Sequence, residues 1–332
     1  MNATPLDMMF EENNPPDIGF HVVFSTIKEH IPSIKESDVH FLYHGTHNVY
    51  DVRQEYIFRF PSTILPIEER RQLIHRETLV LRELKSRLSF QIPNPEFMDS
   101  SSEHPHMGYR KILGASLYYF YDSAPVEKRR HISETLGRFL GELHRLDFNG
   151  LAESQLVSSF TPNIDRNKHR QFFKRIQKEV YPNLSEFQEE WTDTLFHDFL
   201  DDDENFHYLP CLAHGDFDTT NILINPSNLE VTGIIDFEET RVYDPAADFL
   251  FQDKGTAFLS SMLRSYTGRI DSTLPQRMKF RLGRCPFVYI LSGIDFNLEQ
   301  MVSYGYRFLK EMITNWDNYS SVLATSFANL KL

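Results

Sequence analysis

Cysteine is scarce in this chain: Cys211 and Cys285 are the only two among 332 residues. That argues against a disulfide framework and fits a reducing compartment. No apolar run approaches the length needed to span a bilayer. Met1 to Asp17 carries acidic residues without the apolar centre of a signal peptide. The expectation is a soluble, cytoplasmic protein with no membrane partner. Positive charge is also in deficit, with 34 Lys and Arg against 47 Asp and Glu, a formal net charge of −13. Phosphate backbones are held by Lys and Arg, so this balance argues against nucleic acid as a partner. It suits attraction of a cationic small molecule, and solubility accounts for it equally well. Gly/Pro-rich linkers, low-complexity segments and internal repeats are absent, so organisation has to be read from periodicity.

What is present begins with β-patterned sequence. Phe41-Leu42-Tyr43 and Val49 to Val52 read as strands around a loop at His44-Gly45-Thr46-His47-Asn48. Tyr56 to Phe60 follows, with Tyr56, Phe58 and Phe60 on one face, Ile57 and Arg59 on the other, and Pro61 at its end. Glu68 to Leu88 reads as a long helix whose apolar stripe contains Glu77, four residues from both Leu73 and Leu81. A carboxylate facing a core needs a partner, and Arg59 on the neighbouring strand is the candidate. Ile92-Pro93-Asn94-Pro95 breaks that helix, and Gly108 to Gly114 reads as a strand leaving towards a second lobe. Helical stripes then run from Ile132 to Leu146, from Asn167 to Val180, from Leu184 to Leu200, and from Asp244 onward. The pattern is α+β: a small strand-rich lobe over 1–112, a hinge near 109–114, and a larger, mainly helical lobe over 113–332.

The chemistry sits in His214-Gly215-Asp216-Phe217-Asp218-Thr219-Thr220-Asn221, followed by Ile235-Asp236-Phe237. Ile222 to Ile224 and Leu229 to Ile235 read as a hairpin around Asn225-Pro226-Ser227-Asn228. A hairpin gathers its open ends, so Asn221 at the entrance and Asp236 at the exit become neighbours, with Asp216 just upstream. That set suits phosphoryl transfer. Asp216 orients the attacking hydroxyl, while Asn221 and Asp236 offer hard oxygens to a phosphate-bound Mg²⁺. His214 has no companions at zinc-ligand spacing and no nucleophile elbow, so it reads as structural.

Two weaker signals accompany this set. Gly45, Thr46 and Asn48 lie in a turn whose backbone and side chains suit phosphate oxygens, although an ordinary hairpin turn fits equally well. The acidic run Asp201, Asp202, Asp203 and Glu204 falls where a helix should end, which is unfavourable for the helix dipole and points to a cation-attracting rim. The Arg166 to Lys178 basic run reads as a solvated helix face.

His214-Gly-Asp216 to Asn221 with Ile235-Asp236-Phe237 resembles the aminoglycoside phosphotransferases, relatives of the eukaryotic-type protein kinases. Tyr56 to Pro61, Glu77 with Ile92-Pro93, Tyr109 to Gly114, and Phe139 to His144 look like successive blocks of that family, spanning about Phe41 to Phe251. Tyr56 to Pro61 and the Cys285 to Ile294 stretch are most similar to the 2″-type enzymes. The resemblance implies a bilobal protein-kinase-like fold, with Mg²⁺ and ATP or GTP as phosphate donor. It also implies phosphorylation of an aminoglycoside hydroxyl, the 2″-hydroxyl; a monomer is the expected state. Asp216 takes the base position, Asn221 and Asp236 the metal positions, and Arg59 with Glu77 the phosphate-gripping pair. Tyr109, Lys111 and Ile112 match the strand that reads the purine, with Tyr109 bulky enough to favour the guanine edge. Asp218, Glu238, Glu239, Asp201 and Asp202 are candidates to hold a polycation, and Asp244 and Asp248 brace the loop through backbone contacts. The chain departs from the family at two places: Arg59 stands where many members have Lys, and Glu238 follows Phe237 where Gly is common. Choline, homoserine and fructosamine kinases share the motif, so a metabolite kinase and a non-catalytic nucleotide-binding protein are the alternatives.

Overall fold

The structure is a computed structural model that describes residues 15–148 and 160–330. Residues 1–14, the start of the expected first lobe, lie outside them. The chain divides into two compact units, Met1–Ala115 with Thr232–Glu238, and Ser116–Val231 with Glu239–Leu332. The return of Thr232–Glu238 to the first unit leaves no mark in periodicity. It matters because the segment carries Asp236.

The first unit is built on a five-stranded antiparallel sheet: β1 Val39–His44, β2 His47–Val52, β3 Tyr56–Pro61, β4 Pro95–Asp99 and β5 His106–Arg110, in the order β1-β2-β3-β5-β4. Alternation along β3 sends Phe58 and Phe60 into a core with Val23 and Ile27 of helix α1, Phe20–His30. Phe58 stacks on Phe97 with ring centroids 5.5 Å apart. Opposite Phe58, β5 has Gly108, where a Cβ would come within 2.7 Å of the Phe58 ring. Ile57 and Arg59 point to the other face, where helix α2, Ile67–Lys85, lies with Glu77 and Thr78 buried. His47 and Asn48, expected in the turn, belong to β2 instead, which confines the turn to Gly45 and Thr46.

The second unit is mainly helical. Helix α3, Val126–Leu143, packs so closely on α6, Thr256–Ser265, that a Cβ at Gly137 would lie 2.1 Å from the Met262 carbonyl oxygen. Between them in sequence run α4, Pro162–Glu179, and α5, Glu186–Leu200, the latter started by a Ser185–Gln188 capping box. After α6 come α7 Leu274–Gly283, α8 Cys285–Asp295, α9 Glu299–Thr314 and α10 Trp316–Ala328. After β6, Ala115–Ser116, two short strands, β7 Cys211–Ala213 and a later one at Arg241–Tyr243, pair antiparallel at the base of the loop that carries Asp216. Among the described residues no helix is long and apolar enough to cross a membrane.

Two fully buried arginines on α7 organise this unit. Arg277 bonds Asp244 and Asp271, and Arg281 bonds Asp165 on α4 at 2.6 Å and Asp244 at 3.0 Å. His169, one turn along from Asp165, receives an Arg281 N–H at 3.1 Å. Burial pushes its imidazole down to about 4, against the pull of the Asp165 carboxylate. The unfolded chain therefore takes up a proton near the ordinary histidine value that the folded chain refuses, so stability is full above that value and falls as pH drops from about 6.5 to 4. Melting curves across that window should show the loss. His169→Gln should flatten the slope by about 1.4 kcal/mol per pH unit at most. An unchanged slope would mean the ring does not titrate on unfolding.

Candidate active site

The loop after β7 is held from below by one buried carboxylate. Asp248 Oδ2 accepts the His214 N–H at 2.7 Å, and Oδ1 accepts the Gly215 N–H at 2.9 Å. His144 Nε2 meets the same carboxylate at 2.9 Å, and its Nδ1 meets the Tyr266 hydroxyl at 2.9 Å. Gly215 has φ +90°, and a Cβ there would lie 2.5 Å from the Glu239 carbonyl oxygen, so glycine is required twice over. With the backbone fixed, Asp216 is exposed, and the Asn221 amide donates to its carbonyl at 2.9 Å and to its Oδ2 at 3.0 Å. Both contacts use the Asn221 nitrogen, which leaves Oδ1 as the end available to a cation. Asp218 accepts from the Thr220 N–H at 2.7 Å and closes the loop as an Asx turn.

The hairpin turn is as read, with the Asn225 N–H donating to the Glu230 carbonyl, but Leu229 sits in it at φ 60° and the second strand is Val231–Ile234. This strand carries the chain into the first unit, where Asp236 takes φ 67°. Asp tolerates that region better than most residues, at a modest cost in strain. There Arg59 is shared by three carboxylates: Glu77 Oε1 at 2.6 Å, Asp236 Oδ1 at 2.9 Å and Glu238 Oε2 at 3.3 Å. The strand–helix pair expected of Arg59 and Glu77 is present. One guanidinium cannot neutralise three anions, and Glu77 is the deepest of them. Its Oε2 has no hydrogen-bond partner, and burial raises its carboxyl above the usual range against the pull of Arg59. His47 joins the group at 3.1 Å from both Arg59 Nη2 and Glu238 Oε2, and burial followed by Arg59 lowers its pKa.

Sequence reasoning missed a latch on the turn. Asp17 accepts hydrogen bonds from Asn48 Nδ2 at 2.6 Å, Ser62 Oγ at 2.7 Å, and the Thr63 N–H and hydroxyl at 2.6 and 2.9 Å. Its own N–H returns to Asn48 Oδ1 at 3.0 Å, and His44 bonds the Pro15 carbonyl at 2.8 Å. Asn48 is thus corrected: its amide holds the Pro15–Gly19 segment and is not directed at the turn. Lys111 is corrected too. Its backbone N–H bonds the Glu55 carbonyl and its amine bonds Asp51, so the backbone donor is spent within the sheet. Tyr109 is buried opposite Ile57, on the sheet face that carries Arg59, and Ile112 is buried against Gly233. Gly45 donates its N–H to the His47 carbonyl at 3.0 Å.

The acidic run at the end of α5 finds partners within the chain. Asp201 pairs with His197 at 2.9 Å, Asp202 caps the Glu204 N–H at 3.0 Å, and Asp203 pairs with Arg166. Glu239 pairs with Arg241. Asp244 braces the following turn through Ala246 N–H, but mainly through side-chain pairing with Arg277 and Arg281. Another surface near Asp216 is aromatic. Tyr289 on α8 packs edge-on to Tyr304 on α9 at 5.0 Å, and Tyr304 stacks on Phe308 at 5.7 Å. Burial, then Cys285, Tyr304 and the Asp216 and Asp218 carboxylates, pushes the Tyr289 hydroxyl up, so this ring feels the loop carboxylates.

Residues 38–278, most of the chain, match APH, the phosphotransferase enzyme family. The chain belongs to that family. It is therefore a phosphotransferase with the kinase-like APH fold. Solved structures agree on the fold. The GDP and kanamycin complex of APH(2″)-IIIa superposes with a TM-score of 0.79 at 23% identity, covering 90% of this chain and 99% of that one. Macrolide 2′-phosphotransferase type I gives 0.67 at 19% identity, covering 87% and 97%. The uncharacterized protein YcbJ of Bacillus subtilis (strain 168) is 35% identical over 85 residues, 24% of this chain and 28% of that protein. This chain thus spans less than a third of that relative's length in the match.

The latch makes a measurable demand on this phosphotransferase. Asp17→Ala should lower the melting temperature by about 3–8 °C, the loss of one to two charge-assisted hydrogen bonds in a protein of this size. A melting curve indistinguishable from the parent would show that Asp17 does not tie the turn down.

Proposed function

We propose that this phosphotransferase moves the γ-phosphate of ATP or GTP, with Mg²⁺, to a hydroxyl of an aminoglycoside, the 2″-hydroxyl. The observation that carries the reading is the Asn221–Asp216 contact, in which the amide nitrogen steadies the carboxylate. The residues fit a magnesium–nucleotide pair in donor chemistry. Asn221 offers its amide oxygen and Asp236 a carboxylate oxygen beyond the one bonded to Arg59, both hard ligands. Mg²⁺, when bound, supplies neutralisation of charge on the phosphates. Asp216 accepts the proton of the attacking hydroxyl, Arg59 grips phosphate oxygens, and Glu77 fixes the guanidinium for that task. His214, Asp244 and Asp248 hold these groups in place. The acceptor and the nucleotide are the only partners required, and a monomer in the cytoplasm suffices.

Support for the aminoglycoside comes from the likeness to a kanamycin-bound phosphotransferase and from the acidic surface. A second reading has one observation in its favour. Asp201 and Glu239 pair with His197 and Arg241 and Asp202 with a backbone N–H, whereas Tyr289, which packs on Tyr304, feels the Asp216 carboxylate. An amino-sugar acceptor with a large apolar body, of the macrolide kind, would use such rings. Nucleotide consumption with kanamycin-class drugs, macrolides, choline, homoserine and sugars separates the readings. Turnover with macrolides alone sinks the aminoglycoside, and turnover with choline or a sugar alone sinks both.

Asp216→Asn should cut turnover at least about a hundredfold with nucleotide affinity nearly unchanged, since the carboxylate serves the acceptor. Asp236→Ala should weaken Mg²⁺-dependent nucleotide binding as well as turnover. Parental turnover in the first variant, or parental Mg²⁺-dependent affinity in the second, removes that residue from its role.

A further inference from the structure

More donors gather around Arg59 than its pair with Glu77 requires. A single oxygen, Glu238 Oε2, lies 3.1 Å from His47 Nδ1 and 3.3 Å from Arg59 Nη2, and the Thr46 hydroxyl donates to the same carboxylate. The imidazole is buried and has one N–H to place. With that proton on Nδ1 it donates to Glu238. With it on Nε2, an atom that has no partner, a donor would be buried unmatched. An imidazole N–H and a guanidinium converging on one oxygen, with the Thr46 hydroxyl 3.2 Å from the same imidazole nitrogen, form a site for a phosphate oxygen, and a carboxylate stands there instead.

The main chain of Glu238 is held independently of its side chain. Arg76 Nη2 donates to the Glu238 carbonyl at 2.5 Å, so the carboxylate can swing away without moving the backbone. The charge balance favours such a swing when an anion arrives. Arg59 faces Glu77, Asp236 and Glu238, and removing one of the three eases the entry of phosphate.

We propose that Glu238 is an internal competitor for the phosphate site: its carboxylate occupies the donors of Thr46, His47 and Arg59, and a triphosphate enters by displacing it. This rests on the reading of Arg59 as the phosphate-gripping cation. The competitor sets a threshold on nucleotide affinity that a glycine at this position would not.

Calorimetry on the full chain with GDP, ADP and inorganic tripolyphosphate tests it, each with and without Mg²⁺, for the parent, Glu238→Gln and Glu238→Ala. Melting curves establish that each variant is folded, and Ala serves if Gln is not. Loss of the competitor should tighten tripolyphosphate and nucleotide binding about tenfold, the gain expected where the carboxylate holds the site some nine-tenths of the time. Equal or weaker binding by the variants overturns the proposal. So does a loss of affinity seen only with Mg²⁺, which would make Glu238 a metal ligand. Tripolyphosphate separates this inference from the functional reading. If only the variants bind it while no form binds nucleotide, the nucleotide reading fails and the competitor stands.

Discussion

A guanidinium cannot shed its charge, and Arg59, buried in the first unit, has to be answered by carboxylates wherever they can be brought to it. That requirement explains why Glu77 sits in the apolar stripe of α2, and why the segment after the hairpin returns to this unit with Asp236 at positive φ. It also explains the restraint at the other end of β3. Asp17 ties Ser62 and Thr63 to Asn48, so the strand bearing Arg59 is fixed where it leaves the sheet. Removing the guanidinium would leave three carboxylates facing one another without an answer, so the group depends on Arg59.

The second unit solves a different problem with the same material. Arg277 and Arg281 are fully buried, and their partners Asp165, Asp244 and Asp271 come from separate stretches of chain. Here the ion pairs join a helix, a turn and a loop rather than meeting a ligand. Asp248 performs the finer task. It presents both oxygens to two successive backbone N–H groups, and its orientation is set by His144. The exposed Asp216 inherits its position from a carboxylate that never meets solvent.

Much of this was legible in the sequence, and the limits have physical causes. The hairpin between Asn221 and Asp236 could be read because β-branched runs flank a turn sequence. The Arg59–Glu77 pair could be read because a charge in an apolar stripe requires an answer. The Asp17 latch could not, because a lone aspartate before a helix carries no periodic signal and its partners lie 31 to 46 residues away. The pairing of the acidic run after α5 with His197 and Arg166 was not legible because it depends on three-dimensional neighbours that charge counting ignores. Asn48 was assigned to the turn because strand ends are set by pairing register, and β2 begins at His47.

Gly215 has an evolutionary consequence. A side chain at that position would strike the Glu239 carbonyl and force a disfavoured backbone, so the loop that carries Asp216 has almost no freedom to drift. Divergence among descendants of this protein is therefore channelled elsewhere.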